Sequence, residues 1–138
     1  MSDDNKVPGN NPLHLCKGDH AKDVLKITRV DFDPNSPKHG SSITISAQGQ
    51  VSSTIAKGAK ITLGLELGGK KLLDKQFDFC DVIKMVGQSC PLSAGSPTLS
   101  KTIQIPSMIP QAEYHLTINA VAADGTPITC IEGTTTMT

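Results

Sequence analysis

The 138-residue chain has no tryptophan, one tyrosine and three phenylalanines. Any core must therefore be built from Ile, Leu, Val and Ala. There is no excess of charge of either sign, with 13 Lys+Arg against 13 Asp+Glu. Nucleic-acid binders gain affinity by neutralising phosphates with basic side chains, so this balance argues against a nucleic-acid partner. No apolar run approaches the roughly 20 residues that span a bilayer. The start, Met1-Ser2-Asp3-Asp4, is polar and lacks the apolar stretch of a signal peptide; a secreted protein with this sequence would be a mature form. No usable N-x-[ST] sequon occurs, since Asn35-Ser36 is followed by Pro37.

Chemistry-bearing motifs are equally scarce. There is no C-x-x-C, no G-x-S-x-G, no H-E-x-x-H and no Walker loop. His14, His20, His39 and His115 are spread among the arm, a turn and the polar face of a strand. The residues therefore predict no catalytic group, no metal site and no cofactor.

What is present is alternation. Residues 1–12 are polar, contain Pro8, Gly9 and Pro12, and read as a flexible N-terminal arm ahead of a single domain over 13–138. Period-two patterning then recurs. It covers Val24 to Asp33, then Ile43, Ile45 and Ala47, and it continues through Val51, Ser53 and Ile55. Ile61, Leu63, Leu65 and Leu67 form the cleanest strand. Gly68-Gly69 signals a two-residue hairpin, with Leu72 to Phe79 as its return. Residues 81–97 read as loop. Further strands follow at Leu99 to Ile105, Tyr114 to Ala120 and Ile128 to Thr136, the last two joined at Asp124-Gly125. No amphipathic helix of three turns appears. The expected fold is an all-β, immunoglobulin-like antiparallel sandwich of seven or eight strands.

Four cysteines allow three pairings. The pairing that joins near neighbours, Cys80 with Cys90, and closes the chain ends through Cys16 and Cys130 is the expected one. The alternative is four reduced, buried thiols. Disulfides would place the protein in an oxidising compartment.

Several runs resemble one family. Val7-Pro8-Gly9-Asn10-Asn11-Pro12-Leu13 ahead of Cys16 is similar to the mature start of fungal phosphatidylglycerol/phosphatidylinositol transfer proteins. So are Phe77-Asp78-Phe79-Cys80-Asp81 followed by Cys90-Pro91-Leu92, Ile105-Pro106 with Ile109-Pro110, and Asp124-Gly125 leading to Ile128-Thr129-Cys130. Those proteins belong to the ML lipid-recognition family, which also holds the soluble Niemann–Pick type C sterol carrier. The likeness extends over residues 8–136. It implies a sandwich whose sheets part around one lipid, and the two disulfides named above. Two departures point to the fungal branch. The segment from Asp33 to Gly40 lacks the cysteines of the extra disulfide in animal sterol carriers, and Ile118 stands where the animal carrier has Trp.

The resemblance implies a carrier that binds a sterol or a phospholipid between its sheets and transfers it between membranes. A closed-core recognition module is the alternative. The lining expected from the inward positions comprises Leu63, Leu65, Leu67, Leu73, Phe77, Ile103, Ile105, Tyr114, Leu116 and Ile118. Met108, Ile109 and Pro110 are the expected rim, placed in a proline-bounded loop where apolar groups gain little from folding. Lys70, Lys71 and Lys75 cluster near the Gly68-Gly69 turn, and Lys57 and Lys60 flank Gly58. A solvated charged turn accounts for them, with contact to an anionic head group as the alternative. The expected partners are the lipid, a transiently touched membrane and a membrane protein that accepts the cargo. The chain is expected to be monomeric, in the secretory pathway, in a vacuolar or lysosomal lumen, or outside the cell.

Overall fold

A computed structural model describes residues 5–137. Eight strands and one short helix follow in the order β1 (Leu13–Leu15), β2 (Leu25–Asp33), β3 (Ser42–Val51), β4 (Lys60–Leu67), β5 (Lys70–Asp78), α1 (Phe79–Lys84), β6 (Thr98–Gln104), β7 (Ala112–Val121) and β8 (Pro127–Met137). Five strands form one sheet in the order β1-β8-β7-β4-β5, and three form the other in the order β2-β3-β6. All pairings are antiparallel. The expected all-β sandwich is what the chain builds. Among the described residues no helix is long and apolar enough to cross a membrane.

The alternating residues set the inward faces. On the larger sheet the cross-strand partners Leu63–Ile118–Ile131 and Leu65–Leu116–Gly133 share one face. On the smaller sheet Ala47 lies opposite both Val30 and Leu99. Gly68 and Gly69, at φ +57° and +84°, make the β4–β5 turn, where a left-handed backbone suits the twist of the two strands.

Packing is concentrated in two places. One cluster closes one end of the sandwich. It holds Val24, Val51, Ile55, Ala59, Phe79, Ile83, Ala120 and Ile128. Helix α1 lies over this end. Asp78 caps it by accepting a 2.8 Å hydrogen bond from the Cys80 amide, and the Cys80–Cys90 disulfide ties it to the following loop. The second cluster joins Val30 of β2 to Leu13 of β1 and Ile131 of β8, with Phe32, Ile45, Ala47 and Ile118 packed beside them. The sheets approach each other most closely here, where β2 passes β8.

Three expectations need correction. Residues 81–97 were expected as loop and Phe79 as strand; α1 begins at Phe79 and runs to Lys84. Helix formation there depends on the Asp78 cap and on burial of Phe79, Cys80 and Ile83, not on a repeating apolar pattern. Ser53 and Ile55 do not extend β3. That strand ends at Val51, and Ile55 makes a single bridge to Leu92. The arm, expected to be flexible, is docked over the residues described. Val7 is 1% exposed, the Val30 and Phe32 amides donate to the Pro8 and Asn10 carbonyls at 2.9 and 2.7 Å, and the buried Asn11 side-chain amide donates to the Val30 carbonyl at 2.7 Å. Residues 1–4 of the arm lie outside the described residues.

Docking the arm makes the sandwich asymmetric. Residues 8–10 pair along the free edge of β2, and β1 pairs with β8. One chain segment thus stitches the two sheets along one side. The Cys16–Cys130 disulfide lies just beyond β1. Among the described residues no strand pairing joins β5 and β6, the edge strands of the opposite side.

Candidate functional site: the space between the sheets at the β5–β6 side

In the second cluster β2 stacks on β1 and β8, and β3 on β7. That stacking leaves β6 facing β4 and β5. Neither packed cluster contains any residue of β5 or β6, and of β4 only Ile61 takes part. Among the described residues the packed clusters therefore lie on the stitched side and at the α1 end, with β5 and β6 outside both.

The predicted lining residues occupy this region. Leu63, Leu65, Leu67, Leu73, Phe77, Leu116 and Ile118 are all half-buried, although register places them on the inward face. In a closed sandwich, central inward leucines would be covered on both sides. Ile103 is 44% exposed, on the inward face of β6. Ile105 is buried just past the end of β6, where its amide donates to the Ser41 carbonyl at 2.8 Å.

The loop after β6 forms one lip of the opening. Met108 is 86% exposed, Pro110 is exposed and Ile109 is half-buried. Tyr114 fixes this loop to the sheet. Its ring is buried and its hydroxyl donates to the Pro110 carbonyl at 2.7 Å. Tyr114 thus serves as a tether for the lip as well as an inward residue. Leu72 of β5 is 54% exposed. The register shift between Leu65 and Glu66 leaves it without a cross-strand partner.

Two surface grooves lie elsewhere. One, on the outer face of the three-stranded sheet, is lined by Arg29, Asp31, Ser46, Gln48, Thr98 and Ser100 among others. The other, on the outer face of the larger sheet, includes Thr62, Glu66, Lys71, Asp74, His115 and Asn119. Both linings mix polar side chains with apolar ones, Ala47 and Leu99 in the first and Leu65 and Leu73 in the second. The apolar inter-sheet space is the better candidate on chemical grounds.

The histidines separate into surface and structural roles. His115 is on the outer face, with Nδ1 2.9 Å from Thr134 Oγ1 and Nε2 3.3 Å from Glu132. His20 bridges the Cys16 carbonyl and the Asp23 carboxylate beside the Cys16–Cys130 disulfide. Its pKa is raised, first by the hydrogen bond to the Cys16 carbonyl and then, against desolvation, by Asp23.

The family model of the ML domain matches residues 10–137. The chain belongs to the ML-domain family. It is 40% identical over 131 residues to a phosphatidylglycerol/phosphatidylinositol transfer protein of Pyricularia oryzae, an alignment covering 95% of this chain and 74% of that one. The ML fold recurs in a Niemann–Pick type C2 protein from Japanese carpenter ant, with a TM-score of 0.62, 17% identity, and 89% of this chain and 99% of that one covered. It recurs again in chicken MD-1 complexed with lipid IVa, with a TM-score of 0.55, 19% identity, and 91% and 97% covered.

The inward placement of Lys75 and Lys101 in this ML domain was not expected from the sequence. Lys75 was grouped with the turn lysines. Register instead sets it opposite Leu63, on the inward face of β5. The available signal was the alternation Leu73-x-Lys75-x-Phe77 and Leu99-x-Lys101-x-Ile103, in which each lysine takes an apolar position.

Proposed function

We propose that this ML-domain protein is a soluble carrier that takes a phospholipid of the phosphatidylglycerol or phosphatidylinositol type between its sheets and transfers it between membranes. The observation that supports the reading is that β5 and β6 contribute no residue to either packed cluster, while the leucines on the inward face of β4 are only half-buried. The relative from Pyricularia oryzae supplies the lipid class. A carrier needs no bond-making group. It needs an apolar enclosure, since each buried methylene contributes about 0.8 kcal/mol, and a route to a bilayer. Leu63, Leu65, Leu67, Leu73, Phe77, Ile103, Ile105, Tyr114, Leu116 and Ile118 form the enclosure in this reading.

Met108, Ile103 and Leu72, all exposed, give the opening an apolar rim that enters the interface of a membrane during exchange. The two disulfides suit a secretory, vacuolar or extracellular setting. A monomer meets the requirement, with a membrane or a membrane-bound acceptor receiving the lipid.

The test is transfer of fluorescent phosphatidylinositol or phosphatidylglycerol from donor to acceptor vesicles. The proposal expects a transfer rate that rises with protein concentration. A folded protein that leaves the spontaneous rate unchanged for these lipids and for a fluorescent sterol would support the closed recognition module instead.

A further inference from the structure

The interior faces of the two open edge strands are apolar except at one position each. On β5 the inward residues are Leu73, Lys75 and Phe77; on β6 they are Leu99, Lys101 and Ile103. Lys75 is directly opposite Leu63, and Lys101 directly opposite Ile45, so both share a face with core aliphatics. Both are exposed although register places them on the inward faces. Lys75 Nζ lies 5.4 Å from the centroid of the Phe77 ring, on the same face. Among the described residues neither lysine has a salt-bridge partner.

A cation among inward leucines is costly unless an anion or water meets it. Two such cations stand on β5 and β6, the edge strands that the N-terminal segment does not stitch. A lipid lying between the sheets with its chains against Leu63, Leu65 and Leu116 would bring its polar end out through this side. A head group of net negative charge suits two ammonium ions there, whereas a zwitterionic one brings its own cation against them.

We propose that the positive charge of Lys75 and Lys101 beside the inter-sheet space sets a preference for phospholipids whose head groups carry net negative charge over zwitterionic ones, whose own cation opposes the two lysines. This rests on the carrier reading above and adds to it the residues that choose the cargo. A competing role exists. Inward-pointing charge on an edge strand also blocks edge-to-edge association, and the experiment separates the two.

The variant is the double substitution Lys75→Gln and Lys101→Gln, which keeps polar edges but removes charge. Transfer of fluorescent phosphatidylglycerol and of fluorescent phosphatidylcholine is measured side by side, from neutral donor vesicles to neutral acceptors. Neutral vesicles keep membrane attraction out of the comparison. Partly exposed charge-assisted contacts are modest individually, so the preference for phosphatidylglycerol over phosphatidylcholine should fall about tenfold, with phosphatidylcholine transfer changed less than about twofold. Lys75→Arg with Lys101→Arg should restore the preference. Equal loss for both lipids, or an unchanged preference, overturns the assignment. So does a variant that associates in size-exclusion chromatography while keeping its preference, which leaves edge protection as the role. Inhibition of wild-type transfer by millimolar inorganic phosphate would assign the lysines to free phosphate and overturn the lipid source. If the wild type transfers neither lipid, the carrier reading itself fails, a result distinct from any of these.

Discussion

Replacing Leu65 by tryptophan tests whether the space beside β4 is open. Leu65 sits at the middle of the inward face, opposite Leu116 of β7 and Leu73 of β5, and is only half-buried. Adding a large ring to a well-packed core costs about 1–3 kcal/mol. For a chain of this size, each kcal/mol lowers Tm by roughly 4 °C, so a closed core predicts a fall of about 4–12 °C. An open space predicts the reverse. The indole fills volume that no side chain occupies, and the delipidated variant should melt within about 2 °C of the wild type. Ligand binding should suffer instead. A ring at this level displaces about four methylenes of an acyl chain, or about 3 kcal/mol, which weakens binding by roughly two orders of magnitude. Thermal unfolding of delipidated protein and titration with a fluorescent phospholipid read both quantities. A large fall in Tm with unchanged uptake would refute the open interior and remove Leu65 from the site.

Other outcomes follow from the same structure. Gly9 has φ +109°, and a Cβ there would lie 2.1 Å from the Val30 carbonyl oxygen. Gly9→Ala should therefore cost at least about 1–3 kcal/mol in chemical denaturation and release the arm from β2, raising hydrogen exchange at the Val30 and Phe32 amides. The Cys16–Cys130 bridge spans a sequence separation of 114 and Cys80–Cys90 one of 10. On the chain-entropy model, paired Ser substitutions should cost roughly 5 and roughly 3 kcal/mol respectively, so reversal of that order in urea melts would count against the model here. The raised pKa of His20 means its contribution to stability is complete below the unfolded value of about 6.5 and is lost as pH rises through the folded value. The Tm difference between wild type and His20→Asn should thus be larger at pH 5 than at pH 8, and an equal difference at both would remove His20 as the titrating group.

Much of this fold was legible because alternation is a local signal. Ile61 to Leu67 and Tyr114 to Ala120 announce their inward faces residue by residue, and Gly68-Gly69 announces the turn between β4 and β5. The elements that were misread depend on contacts between distant parts of the chain. Val7 is one apolar residue in a polar arm, and its burial requires Pro8 and Asn10 to find the edge of β2. Helix α1 is six residues long, too short for a period to show, and rests on the Asp78 cap and a disulfide. The site was half legible. Alternation gave the leucines that face inward, but which inward residues lie under closed core and which border open space depends on how the sheets stack. That stacking also gives Lys75 and Lys101 their significance, since a lysine in an alternating pattern reads as a solvent residue until its edge strand is seen to face the other sheet.

The central claim is that the unpacked side of the sandwich holds a lipid. Native mass spectrometry of protein purified from a eukaryotic secretory host, followed by solvent extraction, measures this most directly. The account predicts one phospholipid per chain, enriched in phosphatidylinositol or phosphatidylglycerol and absent from the Leu65→Trp variant. A folded wild-type protein that carries no lipid, and takes up none when offered anionic vesicles, would contradict it.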